Sequence, residues 1–305
     1  MGKQKPIYVQ TDIHTSMEKL WEFTQTPDLH TEWDVRFTEI TYLSKEEGAP
    51  QQFLYKTKIG FGVEIAGTGE SVGEVHKATG ERISSLKFQT DNRLSLIRTG
   101  RGYWKYKQKG EAISFETQYD YDANFGKFGT FIDYYLFRPL LGWGTAWSFD
   151  ALRLWLEKGY HPRLLIQKTL VHWLVCFLLA FVWMYQGLVP KVIAKHPVEI
   201  LMLEAMFPFE MNGEFVITLI GYLEMLFALM WLLPFQKKYV FLGHFLIISI
   251  LTITAVMSYT ESIFAPFNPV SFNLLLLGLS LIGFFNSTDL PRARHCRRKR
   301  RGKEA

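Results

Sequence analysis

Cysteine is scarce in this sequence, and the short motifs of several enzyme classes are absent. Cys176 and Cys296 are the only cysteines among 305 residues, and no CxxC pair occurs. A thioredoxin-like dithiol and a cysteine-rich metal site are therefore excluded. A Walker A loop, a Rossmann glycine fingerprint and an HExxH motif are also missing, so the usual signatures of nucleotide, dinucleotide and catalytic zinc sites are absent. We expect no catalytic residue and no metal ligand.

A secretory signal is also missing from the first residues. The stretch MGKQKPIYVQ is mostly polar and contains no apolar core, so we expect no cleavable signal peptide. The N-terminal half is then expected to remain in the cytoplasm, where it is made.

Positive charge is concentrated at the C-terminal end. Eight arginines and lysines lie between Arg292 and Lys303, and without them the formal net charge of +5 would be negative. The rest of the chain is therefore mildly acidic, and we expect no nucleic-acid partner. A basic cluster after an apolar run fits the anionic headgroups of membrane lipids, although its role could be limited to fixing the topology.

Long apolar runs fill the second half of the sequence. Four runs approach the length of about 20 residues that spans a bilayer. They cover about 165–189, 215–235, 239–260 and 270–286. Lysines and arginines precede the first run, separate the second from the third, and follow the fourth. The positive-inside rule therefore predicts a multi-pass cell-membrane protein with both termini in the cytoplasm.

The connection between the first two runs is predicted to face outward. It contains an apolar stretch from Val198 to Phe209, which is typical of a short interfacial helix. At the other end of the bundle, residues 287–305 are predicted to form a basic cytoplasmic tail.

Glu224 lies near the middle of the second apolar run. A charged side chain at the bilayer centre costs roughly 2.5–3.5 kcal/mol on insertion scales, so such residues usually face a protein interior or a polar cavity. Gly221 and Ala228 lie on the same helical face, and small residues allow a neighbouring helix to approach closely. We therefore expect this face to point into the bundle.

Other polar side chains accompany Glu224 in the outer half of the predicted bundle. They are Tyr185, Lys191, Asn268 and Asn273. Two interpretations remain open: a pocket that opens outward and binds a ligand or a proton, or buried hydrogen bonds that hold the helices together.

Two histidines, His172 and His244, lie at similar depth in the first and third runs. Histidines on facing helices can ligate haem. Isolated histidines within a membrane more often pack or form hydrogen bonds, and we expect no haem.

Residues 1–160 show the alternation of apolar and polar residues that is typical of strands. The predicted order is one strand, a helical pair, an antiparallel meander and a long helix from Phe128 to Gly159, broken near Pro139 and Gly142. This order predicts an α+β domain in which a curved antiparallel sheet grips the C-terminal helix. The space between them suits an apolar ligand or is a filled core. The candidate lining residues are Trp33, Phe53, Tyr55, Trp104, Phe115, Tyr119 and Phe149.

Two stretches carry a resemblance to a known superfamily. The early stretch Pro27-Asp28-Leu29-His30-Thr31-Glu32-Trp33-Asp34 and the terminal helix Ala151-Leu152-Arg153-Leu154-Trp155-Leu156-Glu157 resemble the SRPBCC superfamily, which has the START-like helix-grip fold. The resemblance implies a domain that binds lipids or other hydrophobic molecules, and no catalytic residue carries over.

The second half resembles the DoxX-like family of four-helix membrane proteins. The residues that carry this resemblance are Trp183-x-Tyr185-x-Gly187-x-Val189-Pro190-Lys191, Glu199, Gly221-x-x-Glu224 and Pro266-Phe267-Asn268-Pro269-x-Ser271-x-Asn273. The resemblance implies an all-α four-helix transmembrane bundle over 164–286 and adds Glu199 to the candidate site. Some relatives associate with quinone-linked thiol oxidation, but this chain lacks a cysteine pair.

Three functions are compatible with these observations. The first is binding of a hydrophobic small molecule, such as a lipid or isoprenoid, by the cytoplasmic domain at the membrane. The second is a quinone-interacting accessory role that requires a redox partner subunit, because the sequence contains no electron carrier. The third is a structural or regulatory membrane module. Membrane lipids are partners in all three.

Overall fold

The fold is described from a computed structural model over residues 4–46, 48–60, 62–77, 80–206, 212–258, 260–264 and 268–300. The chain divides into two compact units. The sheet unit comprises Met1–Leu165 and Pro291–Ala305, and the helical unit comprises Ile166–Leu290.

Seven strands form one antiparallel sheet in the sheet unit. They are β1 (Ile7–Ile13), β2 (Glu39–Tyr42), β3 (Gln52–Gly60), β4 (Val63–His76), β5 (Arg82–Gln89), β6 (Ile97–Lys109) and β7 (Ala112–Ala123). Their spatial order is β1-β7-β6-β5-β4-β3-β2. Strands β2 to β7 thus form the predicted meander, and β7 pairs with β1, which lies at the edge of the sheet.

Helices occupy the two predicted positions in this unit. Between β1 and β2 lie α1 (Met17–Gln25) and α2 (Pro27–Trp33); after β7 come α3 (Gly126–Ile132), a π-helical turn (Asp133–Phe137) and α4 (Arg138–Lys158). The helix does not break at Pro139 as predicted. Pro139 lies in the first turn of α4, directly after the π-helical turn, and the backbone stays in the right-handed helical region at Phe137 and Arg138. The irregularity is instead the π-helical turn before it.

Aromatic rings fill the space between the sheet and α4. Phe115 of β7 stacks on Phe149 of α4 with ring centroids 4.4 Å apart. Trp33 packs against both Phe149 and Trp104. Each buried aromatic side chain removes a large apolar area from water, so this cluster joins the sheet to the helix. The predicted α+β domain with an antiparallel sheet is confirmed by the strand order, and α4 packs on this sheet.

Two glycines allow aromatic rings to lie flat on the sheet. Phe53 pairs with Gly69, and Phe88 pairs with Gly100 across neighbouring strands. A Cβ atom at Gly69 would collide with the Phe53 ring, and one at Gly100 with the Phe88 ring. Glycine at these strand positions therefore provides the close backbone approach that a larger residue would prevent.

The basic C-terminal segment packs on the sheet unit. Arg297 exchanges two backbone hydrogen bonds with Gln10 of β1, at 2.9 and 2.8 Å. Cys296 is buried and donates to the carbonyl oxygen of Ala146 at 3.2 Å. The sequence predicts a basic cytoplasmic tail over 287–305, and the structure attaches its described part to β1, an edge strand with free backbone groups. Arg301 and Lys303 lie outside the described residues.

Asp150 of α4 holds this segment in place. Its fully buried carboxylate accepts from the backbone N–H of Arg292 and contacts His295 Nδ1, both at 2.8 Å. Its other oxygen contacts the Arg153 guanidinium at 2.7 Å. Three partners thus satisfy the buried charge, as burial of a carboxylate requires.

The helical unit consists mainly of apolar helices. They are α5 (Pro162–Gln186), continued by a π-helical segment (Gly187–Ile193), then α6 (Pro197–Met206), α7 (Gly213–Met230), α8 (Lys238–Ser258) and α9 (Pro269–Phe285). Three stretches are long and apolar enough to cross a membrane: Pro162–Ile193, Gly213–Met230 and Lys238–Met257. Helix α9 is also apolar but shorter. The apolar stretch predicted as an interfacial helix, Val198 to Phe209, overlaps α6. Its last residues, 207–209, lie outside the described residues, and so do Pro266 and Phe267.

The attachment of the C-terminal segment leads to a first prediction. Replacing Asp150 with Asn should increase the rate of trypsin cleavage between Arg292 and Arg300 by about tenfold or more, because hydrogen bonds to charged groups contribute about 1.5–3 kcal/mol each. Mass spectrometry of timed digests measures this rate. Asp12→Asn is the matched control, since Asp12 pairs with Lys109 in an exposed ion pair. Equal cleavage rates in the two variants would contradict the assignment.

Candidate functional site

Lys191 brings two carboxylates together in the helical unit. Its Nζ lies 3.1 Å from Glu224 Oε2 and 3.4 Å from Glu199 Oε2. The same ammonium donates to the carbonyl oxygen of Gln186 at 3.3 Å. Lys191 is only 8% exposed, so the three charged groups form one mostly buried cluster.

A glycine contact positions this cluster. Gly187 starts the π-helical segment that carries Lys191, and Gly221 lies on α7 one turn before Glu224. A Cβ atom at either glycine would collide with the carbonyl oxygen of the other. The two backbones therefore touch, as small residues allow in membrane helices, and Lys191 reaches Glu224.

The charges of this cluster are not balanced by the protein alone. One lysine faces two carboxylates, which leaves one excess negative charge when all three groups are ionised. Glu224 Oε2 lies 3.1 Å from Lys191 Nζ. Apart from this ion pair, the buried oxygen has no hydrogen-bond partner among the described residues. A buried oxygen without a hydrogen bond is costly, and a donor group placed beside it would satisfy it.

A second buried polar atom without a partner lies just after α7. Trp231 is the C-cap of this helix and follows Glu224 by seven residues, which is about two helical turns or 10 Å. Its Nε1–H is buried and has no hydrogen-bond partner in the described part of the chain. Its ring packs against Phe241, so this donor is separate from the charged cluster.

The other candidate residues of this unit lie elsewhere. Tyr185 is half exposed and stacks on Phe181. Asn268 caps α9 by accepting from the N–H of Ser271 at 2.8 Å, and Asn273 donates to Thr252 Oγ1 at 2.9 Å. Of the six candidates, the structure thus brings together Lys191, Glu199 and Glu224, while the two asparagines cap a helix and join α8 to α9.

The two histidines engage neighbouring helices. Trp183 Nε1 donates to His244 Nε2 at 2.9 Å, and His244 Nδ1 lies 2.6 Å from Ser280 Oγ. Because that hydroxyl donates to the carbonyl oxygen of Leu276, we assign the ring proton of His244 to Nδ1 from the network. Both nitrogens are then occupied by protein partners. His172 contacts Cys176 and Ser287.

The aromatic candidates of the sheet unit lie mainly in the core. Trp33, Trp104, Phe115 and Phe149 belong to the stacked cluster described above. Tyr119 is buried and its hydroxyl lies 2.8 Å from Thr145 Oγ1 of α4, and Tyr55 is also buried. Phe53 alone of the seven lines the large cavity that the sheet contains.

That cavity is a trough of about 700 Å³ across the sheet. Its lining residues include Leu43, Gln52, Phe53, Glu70, Lys87, Arg101, Asp120 and Asp122. The hydroxyls of Tyr119 and Tyr121 bond to Thr145 and Asp133 on the helical side. Because side chains alternate along a strand, Asp120 and Asp122 point to the opposite face. Phe53 and Phe88 lie in the same register row as Tyr121 and therefore share the helical-side face. The trough is thus lined from both faces of the sheet, by polar and apolar groups in about equal measure.

A buried ion pair lies beside the aromatic cluster. Arg36 donates to both oxygens of Asp34, at 2.8 and 2.5 Å, and His30 Nε2 lies 3.1 Å from the same carboxylate. Burial alone would raise the pKa of Asp34, but the charge and hydrogen bonds of Arg36 hold it well below its usual range. Every oxygen of this carboxylate has a partner, so the pair is a structural element.

Comparison with known proteins identifies relatives of the whole chain. The model of the DoxX-like family matches residues 180–281. An uncharacterised membrane protein of Bacillus subtilis (strain 168), YndG, is 40% identical over 301 residues, which covers 98% of this chain and 99% of the relative. This chain belongs to the YndG family of membrane proteins. The predicted DoxX-like membrane domain is thereby confirmed.

Solved structures similar to about half of the chain include START-like proteins. One is a STAR-related lipid transfer protein of Xanthomonas axonopodis, 10% identical, covering 52% of this chain and 97% of that one with a TM-score of 0.38. Another is a START superfamily protein of Mycobacterium smegmatis, 12% identical, covering 52% and 100% with a TM-score of 0.38. The helix-grip assignment for this YndG family member rests on its own strand order and register.

The aromatic cluster generates a prediction about stability. Phe149→Ala should lower the free energy of unfolding of the sheet unit by about 3–5 kcal/mol, the usual cost of truncating a buried phenylalanine. Denaturant unfolding followed by near-ultraviolet circular dichroism measures it. Leu94→Ala, at a side chain that is 68% exposed, is the control. An equally small loss in both variants would mean that Phe149 borders a ligand cavity instead of filling the core.

The buried ion pair generates a prediction about pH. The pKa of Asp34 is lowered by folding, so its contribution is present above the unfolded pKa of about 3.9 and is lost as the pH falls below it. Asp34→Asn should therefore lower the melting temperature strongly at pH 7. The difference in melting temperature between this variant and the unmodified protein should become smaller as the pH falls from about 5 to about 2.5. A difference that stays constant with pH would disprove this role.

Proposed function

We propose that this protein binds a lipid-soluble molecule through the Lys191–Glu224 site of its helical unit. The observation that carries the proposal is the buried Glu224 Oε2, which has no hydrogen-bond partner among the described residues. A hydroxyl or N–H group of a ligand would satisfy this oxygen. The Lys191 ammonium, 3.1 Å away, would donate to an acceptor on the same ligand.

We infer four membrane crossings from the path of the chain. The chain leaves the sheet unit after Leu165 and re-enters it at Pro291. Since the sheet unit is one compact body on one side of the bilayer, the number of crossings between these points is even. Three helices are long enough to cross, so α9 becomes the fourth. Its 17 residues extend about 25 Å, which a slightly thinned bilayer accommodates at modest cost.

The distribution of positive charge supports an outward position for the site. Lysines and arginines precede the first apolar helix, separate the second from the third and follow the fourth, a distribution that supports a cytoplasmic position for the sheet unit. Lys191 lies at the end of the first crossing stretch, and Glu199 lies in the connection that follows it. A ligand would therefore enter from the outer half of the membrane.

A quinone fits the chemistry of the site best. Its carbonyl oxygen accepts from Lys191, and the hydroxyl of the reduced form donates to Glu224. Redox turnover would require a partner subunit, because the sequence holds no recognised electron carrier. An isoprenoid alcohol or a lipid headgroup offers the same hydroxyl, and the experiment below separates these ligands. Binding in the sheet unit has less support, because its aromatic candidates pack against one another.

The helical unit provides a matched pair of glutamates for testing the proposal. Glu214 and Glu224 both lie on α7, and each pairs with a lysine of the preceding segment, at 3.0 and 3.1 Å. Glu214 is exposed at the start of the helix, whereas the Glu224 side chain is only 17% exposed and its Oε2 is buried. Glu224→Gln should weaken ligand binding by about tenfold, which corresponds to about 1.4 kcal/mol. Glu214→Gln should leave it unchanged.

The measurement uses the full-length protein in lipid nanodiscs. Mass spectrometry of solvent extracts identifies retained molecules, and tryptophan quenching by decylubiquinone and by its reduced form reports quinone binding. If the protein retains an isoprenoid and does not bind quinone, the ligand is an isoprenoid and the proposed site stands. Equal binding by both glutamate variants would disprove the site.

A further inference from the structure

Large apolar side chains are concentrated on the surface of the sheet unit between residues 125 and 143. They are Phe125, Phe128, Phe131, Tyr134, Tyr135, Leu136, Leu140 and Trp143, here called the aromatic face. Their exposed fractions run from 48% for Trp143 to 70% for Phe128. Single exposed apolar residues are normal on protein surfaces, but a contiguous set marks an interaction site.

The helices that carry the aromatic face expose apolar side chains to the outside and bury an acidic residue on the inside. Asp133 is fully buried and is bonded to the Tyr121 hydroxyl at 2.5 Å and to Arg138 Nε at 3.0 Å. Phe137 and Leu141 pack on the core from the same side. A helix exposed to water normally directs its charged residues outward and its apolar residues inward. Here the acidic residue points inward and most of the rings point outward.

The aromatic face is held by regular structure. It extends over α3, the π-helical turn and the first turns of α4. Arg138 links the turn to β7 through Asp120 at 2.8 Å, so the inner side of these helices is fixed to the sheet. The exposed rings therefore project from helices whose position on the sheet is fixed.

We propose that the aromatic face docks into the interfacial layer of the same bilayer that holds the helical unit. Phenylalanine, tyrosine, tryptophan and leucine are the residues that interfacial helices bury among lipid headgroups and acyl chains. The exposed charged residue within this stretch is Lys127, whose sign suits anionic lipids.

The connections of the sheet unit make the bilayer the natural occupant. This unit joins the membrane-embedded unit at two points, Leu165 and Pro291. Helix α4 ends at Lys158, and the first apolar helix begins at Pro162. From Trp143 to Lys158 the helix extends about 23 Å, so an α4 that lay along the membrane surface would bring the aromatic face to the lipid.

Spin labels at two equally exposed sites test this proposal. Phe128→Cys places a label on the aromatic face, and Leu94→Cys places one on a loop, at side chains that are 70% and 68% exposed. Both native cysteines are buried, and the unmodified protein gives the labelling background. The full-length protein is reconstituted at one copy per nanodisc of phosphatidylglycerol and phosphatidylethanolamine. Collision of each label with oxygen and with a water-soluble nickel chelate is measured by electron paramagnetic resonance.

Docking predicts opposite accessibility at the two sites. The label at position 128 should collide several-fold more with oxygen and several-fold less with the nickel chelate than the label at position 94. Tyr135→Cys, also on the aromatic face, should repeat this result and replaces Phe128→Cys if that variant does not fold. Equal nickel accessibility at 128 and 94 would overturn the proposal. Protection that appears only in nanodiscs with two copies would also overturn it, since the occupant would then be a second copy of the chain.

Discussion

The contact between Gly187 and Gly221 is the constraint on which the candidate site depends. Neither position has room for a Cβ atom, because each would meet the carbonyl oxygen of the other. Backbone contact at this point lets the π-helical segment place Lys191 beside Glu224. The π-helical turn around Pro190 directs Lys191 toward α7, and the two glycines let the backbones come close enough for the ion pair to form. Within a membrane, charged groups without partners are costly, so this packing contact also determines the charge pairing at the site.

Buried carboxylates of the sheet unit show what a structural role requires. Both oxygens of Asp34 are engaged by Arg36 and His30. Asp133 has a partner on each oxygen, and so does Asp150. Each of these residues ties a separate segment of chain to the sheet or to α4: the loop after α2, the π-helical turn and the C-terminal segment. Low dielectric makes such complete satisfaction necessary. These clusters therefore explain how the fold is held together.

Local patterns predicted more of the fold than of the site. Period-two alternation around Phe115 gave the strands, and the apolar runs gave α5, α7, α8 and α9, because both patterns depend on neighbouring residues. The return of Arg297 to Gln10 was not predictable, since it joins positions 287 residues apart. Glu199 and Glu224 carried a family pattern, but their meeting at Lys191 depends on a widened turn that no local pattern shows. The apolar residues between 125 and 143 are visible in the sequence, but their spacing alone predicts only a long helix and not an exposed apolar face.

Glu224 differs from these structural carboxylates in one respect that bears on function. Its side chain is mostly buried and Oε2 forms an ion pair with Lys191, yet that oxygen lacks a hydrogen bond from the described residues. Asp12 also has an unpartnered oxygen, but its partly exposed side chain is near water. A chain that satisfies three buried aspartates completely has the means to satisfy a fourth acid. The Glu224 oxygen without a hydrogen bond therefore supports the proposed ligand site. In a lipid environment, the partner of that oxygen would be a proton or a molecule that reaches the site through the bilayer.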